Sequence, residues 1–228
     1  MRPPFSLGFT TLQRALIIGT IPLSLLTARA QESLIPHGDI EIWAAAKPEE
    51  EKFGVNLPDG LPDKTWLVFY PNKAVAGVPE DADGYTLARD TEVKVDGEAS
   101  LRIEGAKDTA DFGVHFMPVK VDPGNKYRIT MMIKGEDIHP NPKLNSKHAG
   151  AFIRWQAGSP KSYWGGEGQL SGSATLSDEI REGTFDWTPV EMEVQAADDT
   201  ETLGFRVILQ ASTGKLWVDN IKIETVSN

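Results

Sequence analysis

The stretches Gly183-Thr-Phe-Asp-Trp-Thr-Pro-Val-Glu-Met-Glu-Val194, Leu203-Gly-Phe-Arg-Val-Ile-Leu-Gln210 and Gly214-Lys-Leu-Trp-Val-Asp-Asn-Ile-Lys-Ile223 decide the fold. All three alternate apolar and polar residues, the period of a half-buried strand. Val190, Met192 and Val194 fall on one face of the first run. Leu203, Phe205, Val207 and Leu209 do so in the second. In the third, alternation groups Trp217, Ile221 and Ile223, with Asp219 among them. A lone carboxylate on an apolar face is costly, so Asp219 must be paired, hydrogen-bonded or bound to a metal.

The same period extends through the chain. Tyr127 to Lys134 alternates cleanly and directs Tyr127, Ile129, Met131 and Ile133 inward. Further strands are predicted at Thr65–Tyr70, Ala99–Ile103, Phe112–Val121 and Ala151–Gln156. Asp96-Gly97 and Asp122-Pro-Gly-Asn125 are turn signals. Gln31–Pro36 reads as a loose leader. His37–Trp43 opens the folded part, with Ile40 and Ile42 on one face and Glu41 and Trp43 on the other. Ala44–Asp63, Pro71–Gly84, Gly135–His148 and Ala157–Glu182 read as loops. With no helix-period segment in residues 31–228, the expected class is all-β, an antiparallel sandwich or barrel.

Composition narrows the function. Arg2 and Arg14 precede or open the apolar run Ala15–Leu26, and Ala28-Arg-Ala30 has the form of a signal-peptidase site. Residues 1–30 are therefore predicted to be a secretory signal peptide, cut after Ala30. Their apolar run is shorter than the ~20 residues of a spanning helix, and stable membrane insertion is not expected. Residues 31–228 suit a single domain, expected to be secreted or periplasmic. The whole chain carries a net charge of −10, and residues 1–30 hold three arginines and no acid, so the remainder is more acidic still. That disfavours nucleic acid and anionic membranes and suits neutral ligands or divalent cations. Without cysteine, stability must come from the core or a metal.

The order of motifs adds a resemblance. Gly38-Asp-Ile-Glu41 is followed by Asp96-Gly-x-x-Ser100-Leu-Arg-Ile103, then Val121-x-Pro-Gly-x-x-Tyr127-Arg-Ile-x-Met-x-Ile-Lys134. Phe185-Asp-Trp-Thr-Pro-Val-Glu-x-Glu-Val194 and Leu216-Trp-Val-Asp-Asn-Ile221 complete it. This order resembles the galactose-binding-like jelly rolls of secreted carbohydrate-binding modules, in particular those attached to cellulases and xylanases. The resemblance implies a jelly-roll sandwich and a structural calcium where the N- and C-terminal strands meet. By position it implicates Glu41 and Asp219, with Asp96, Gly97 and Ser100 as further candidates. Calcium takes six to eight oxygen ligands, which carboxylates, carbonyls and water supply. The alternative is that Asp219 accepts hydrogen bonds from backbone or arginine and that Glu41 is solvated. His37, His115, His139 and His148 lack metal-ligand spacing and are expected at the surface or in turns.

A sugar ring stacks its C–H face on an aromatic ring and needs polar partners for its hydroxyls. Arg154, Gln156, Tyr163 and Trp164 offer that mixture. Trp155 shares parity with Ala151 and Ile153 and is either ligand-facing or core; Trp66 and Tyr70 are secondary candidates. Trp43, Trp187 and Trp217 are expected in the core. Glu191 and Glu193 share a face about 7 Å apart, a spacing available to a glycosidase, yet they read as a solvated strand face. His115, Arg128, Arg154 and Tyr163 would be the raw material of a lyase. The expected function is non-catalytic binding of a polysaccharide or oligosaccharide. The alternatives are a jelly-roll hydrolase or lyase, and a cell-envelope adhesion module with a protein partner.

Overall fold

The computed structural model describes residues 32–44, 59, 61–62, 66–69, 84–108, 111–143, 150–158 and 182–226, all within the compact unit Gln31–Asn228. Among them there are strands and turns and no helix, as the alternation predicts. β1 (Trp43–Ala44) and β2 (Leu61–Pro62) form a short ribbon. A four-stranded sheet runs in the order β3 (Trp66–Phe69), β6 (Asp111–Lys120), β10 (Thr202–Gln210), β8 (Gly150–Gly158). A five-stranded sheet runs β4 (Tyr85–Asp90), β5 (Ser100–Gly105), β11 (Ser212–Val226), β7 (Lys126–Pro140), β9 (Gly183–Gln195). Every pairing is antiparallel. β10 and β11 are interior strands of different sheets with only Ala211 between them, at φ 40°. The result is an all-β antiparallel sandwich of jelly-roll type.

The core lies between the two sheets. Along β7 buried and half-buried residues alternate, and Tyr127, Ile129, Met131 and Ile133 are buried. Leu203, Phe205, Val207 and Leu209 of β10 are likewise buried. The layers meet through contacts such as Tyr85 of β4 against Phe112 of β6, with ring centroids 5.0 Å apart. Each buried large side chain of this kind stabilises by about 1.5–3 kcal/mol.

Several local expectations are corrected. The leader is not loose: Leu34 donates its amide to Ile223 O at 2.7 Å, and Ser33 Oγ accepts from the Ile223 amide at 3.2 Å. Ile35 is buried against the core. The leader thus lies along the last strand, satisfying backbone groups of β11 that would otherwise face water. Ile40 and Ile42 do not share a face, because Ile40 sits in a turn at φ 63°; it is buried, while Ile42 is 48% exposed. Residues 135–140 continue β7 rather than forming a loop. Gly135 is required there, because a Cβ would overlap the Phe185 ring of β9. Trp217 does not share a face with Ile221 and Ile223. The register shifts between Asp219 and Lys222, with Asn220 at φ 52°, so the alternation changes phase at the bulge. Trp217 is still buried, as expected, but against the outer side of the sheet, where its Nε1 donates to Asp90 Oδ2 at 2.8 Å. Trp43 packs partly buried on the core, and Trp187 is half-buried.

The chain ends are joined again at Gly38, whose carbonyl accepts from the Ile221 amide at 2.8 Å. A Cβ at Gly38 would overlap Ile221 O. Gly38→Ala is expected to cost at least about 2 kcal/mol, because the strand would have to separate from its partner. Urea unfolding checks this; an unchanged midpoint would show that the contact is not needed.

Candidate functional site

Two constellations carry unusual polar chemistry. The first is at the junction of the chain ends, where carboxylates from separate segments grip one loop, residues 91–99. At its start, Asp90 Oδ1 accepts the amides of Glu92 and Val93, both at 3.0 Å, and Ser100 Oγ donates to Val93 O at 2.6 Å. At its centre, Asp219 Oδ2 accepts from the Val95 amide at 2.8 Å and Oδ1 from the Asn220 amide at 2.7 Å. At its end, both carboxylate oxygens of Glu41 accept from the Glu98 amide, at 2.8 and 2.9 Å. Asp96 Oδ2 accepts from Asn220 Nδ2 at 3.2 Å. Gly97 stands against Glu41, where a Cβ would overlap the carboxylate.

The five positions implicated for a metal, Glu41, Asp96, Gly97, Ser100 and Asp219, are thus brought round one loop. Asp219 accepts two backbone amides. Glu41 is not merely solvated, since it too holds a backbone amide. Asp219 is 0% exposed. Burial pushes its carboxyl above the ordinary range against the pull of the amides, and the charge of Asp96 adds to the upward push. No basic side chain among the described residues pairs with it. The donor set fits calcium in part. Among the described residues no three His, Cys, Asp or Glu side chains form a metal-holding group, so carbonyl oxygens and water would have to complete the shell around Asp219 and Glu41.

The second constellation is the outer face of the four-stranded sheet. Since Phe205 and Val207 point into the core, Arg206 between them points outward. Its register partners are His115 of β6 and Arg154 of β8. Arg206 Nε donates to His115 Nδ1 at 3.2 Å. His115 is 9% exposed, so it is neither a surface nor a turn residue. Burial, and then the Arg206 charge, pull its pKa down to about 3. The ring is therefore neutral and, with Nδ1 accepting, carries its proton on Nε2. Gln156 is registered with Gly204, in the next outward row, and Trp155 with Phe205, in the inward row. The side chains of Arg154, Trp155 and Gln156, and residues Tyr70, Tyr163 and Trp164 altogether, lie outside the described part. Ile208 on the same face is 1% exposed. Alternation missed His115 and Arg206 as a pair, because their sequence separation hides the register.

The remaining enzyme candidates are separated. Arg128 lies on β7, in the other sheet from His115 and Arg154. It pairs with Glu191 at 3.1 Å and Glu193 at 2.5 Å, and both acids are exposed, as a solvated strand face predicts.

No family model matches the chain, and no curated protein does. Solved structures are similar in fold. The CBM22-1 xylan-binding domain from Paenibacillus barcinonensis Xyn10C matches at TM-score 0.50 and 14% identity, over 88% of this chain and 99% of that one. The enzymatically active domain of tailspike protein 4 from Bacteriophage CBA120 matches at TM-score 0.51 and 9% identity, over 72% of this chain but only 20% of that one. The architecture is thus a jelly roll of the kind found in carbohydrate-binding modules.

Proposed function

We propose that the chain is a secreted, non-catalytic polysaccharide-binding module whose site is the outer face of the four-stranded sheet. The observation that carries this is the hydrogen-bonded pair Arg206–His115, with Arg154 and Gln156 in register beside it. Such a row supplies N–H donors and amide groups to sugar hydroxyls from a rigid scaffold. The buried, neutral His115 holds Arg206 by its Nε, which supports a positioning role for that arginine. A ring whose pKa lies at about 3 is a poor base, which favours binding over lysis. Affinity electrophoresis through gels containing xylan, other plant glycans, and algal or bacterial polysaccharides tests the proposal. Retardation by at least one polymer is expected, with Arg206→Ala weakening it about tenfold or more, roughly 1.4 kcal/mol. No retardation by any polymer would overturn it. Reducing-end release, or absorbance from unsaturated products, in the same mixtures would establish the enzymatic alternative instead. Capture of a protein partner without sugar competition would establish the adhesion alternative.

Calcium belongs to the same proposal, held by Asp219 and Glu41 at the chain-end junction. Its warrant is a fully buried carboxylate with an acidic neighbour and no basic partner among the described residues. An ion that binds only the folded state at one hundred times its Kd adds about 2.7 kcal/mol. Millimolar calcium is therefore expected to raise Tm by about 5 °C or more, and EDTA to reverse it. An unchanged Tm would leave the amides as the only ligands of these carboxylates.

A further inference from the structure

We propose that Asp186 and Trp187 form a second sugar contact, on the outer face of the five-stranded sheet, that receives one ring of a neutral glycan; the inference rests on the carbohydrate-binding role proposed above. It comes from a bulge in β9.

Ile133 and Gly135 of β7 are registered with Thr188 and Phe185 of β9, so the register shifts between them. Asp186 and Trp187 together therefore oppose Lys134. Ile133 belongs to the core and Phe185 packs against it. The residues between them, Lys134 on one strand and the bulged pair on the other, fall to the outer side. The contacts agree: Lys134 Nζ donates to Asp186 Oδ1 at 2.8 Å. Trp187 is half-buried, and it is not among the partly buried side chains that pack on the core. Core packing thus gives no account of a tryptophan at this position. Bulges re-aim side chains, often beside functional sites, and this one sets an aromatic ring next to a carboxylate.

The polar groups suit a sugar. The Asp186 side chain is 87% exposed. Its Oδ1 also accepts the Trp187 amide at 2.8 Å, which fixes the carboxylate relative to the residue that carries the ring. Among the described residues Oδ2 accepts no hydrogen bond, so it is open to hydroxyls, and Lys134 adds donor protons. A pyranose can lay its C–H face on the indole and turn its hydroxyls to this pair. Charge selects a neutral ring. Lys134 is paired with Asp186, and the neighbouring bases on this face are paired as well. Arg128 meets Glu191 and Glu193, Lys215 meets Glu136, and Arg102 meets Asp90 and Glu104. An anionic or cationic ligand would compete with one of these pairs; a neutral one leaves them intact.

The test uses the full chain as secreted and three neutral probes: xylohexaose, cellohexaose and mannohexaose. In a proton–nitrogen NMR spectrum, the Trp187 indole signal is the one missing from Trp187→Phe. At least one hexaose is expected to shift it, in wild type and in Arg206→Ala alike, because the two faces bind separately. In affinity electrophoresis through the matching polymer, Trp187→Ala should bind about fivefold or more weakly. Glu191→Gln, elsewhere on β9, should match wild type. An indole signal that stays in place while a hexaose is bound overturns the inference and leaves the carbohydrate role standing. So does retardation of Trp187→Ala equal to that of wild type. A signal that moves in wild type but not in Arg206→Ala also overturns it, since the response would then come from the four-stranded sheet. The wild-type spectrum decides the matter even if Trp187→Ala fails to fold. Absence of binding to every hexaose and every polymer overturns both readings.

Discussion

Replacing Asp219 by alanine is expected to lower stability by about 3–5 kcal/mol, and Tm by roughly 10 °C. The carboxylate accepts the amides of Val95 and Asn220, with a further amide contribution from Asp96. Truncation orphans those part-buried donors, and each buried unsatisfied N–H costs about 1–3 kcal/mol, so partial access of water brings the loss below the sum. Burial also makes the charge itself unfavourable, which is why its pKa is raised. Removing the charge recovers part of that cost, so the sum of the orphaned amides is an upper bound. Asp219→Asn should fall between wild type and alanine, because one oxygen survives while an NH2 group is set against a backbone donor. Glu41→Gln should cost less than about 1 kcal/mol, since its hydrogen bonds are exposed. Urea unfolding of the three variants checks the order. An Asp219→Ala midpoint within error of wild type would show that the loop is held by Asp90, Ser100 and Glu41 alone.

Asp219 also shows what the sequence made legible and what it hid. Its need for partners followed from one acid in an apolar run. Gathering Glu41, Asp96, Gly97 and Ser100 around it followed from a resemblance in motif order. The contact with the loop did not, because the Val95 amide that Asp219 holds lies more than a hundred residues away in the chain. The inward stripes of β7, β9 and β10 were legible because burial enforces period two. Trp217 was misplaced because a bulge at Asn220 breaks that period, and the bulge has no signature without knowledge of β7 alongside. Gly135 looked like a loop residue for a similar reason: only the Phe185 ring across the ladder explains it. On the candidate ligand face, the register sets Arg154 opposite Arg206 and Gln156 opposite Gly204. The pairing of His115 with Arg206 required knowing that β6 and β10 are neighbours.

That pairing sets the second large effect. Acidification from pH 7 to pH 4.5 is expected to remove about 2.5 kcal/mol of stability through His115 alone. The ring has an ordinary pKa of 6.5 and one of about 3 in the folded protein. Between those values the unfolded chain binds a proton that the folded chain does not, so stability rises with pH there and falls on acidification. Burial is the larger cause, and the Arg206 charge beside the ring adds to it. The carboxylates held low, Asp90, Asp186 and Glu193, lose their contributions only as pH falls through and below the ordinary carboxylate range. Asp219, held high, acts with the opposite sign, gaining stability as it protonates. His115→Gln keeps an acceptor for Arg206 Nε but cannot titrate. Its stability should therefore be nearly flat between pH 7 and pH 5, where wild type declines. Urea midpoints across that range decide the matter. Parallel curves for wild type and variant would mean that His115 takes up its proton in the folded state, and the neutral ring held against Arg206 would have to be abandoned.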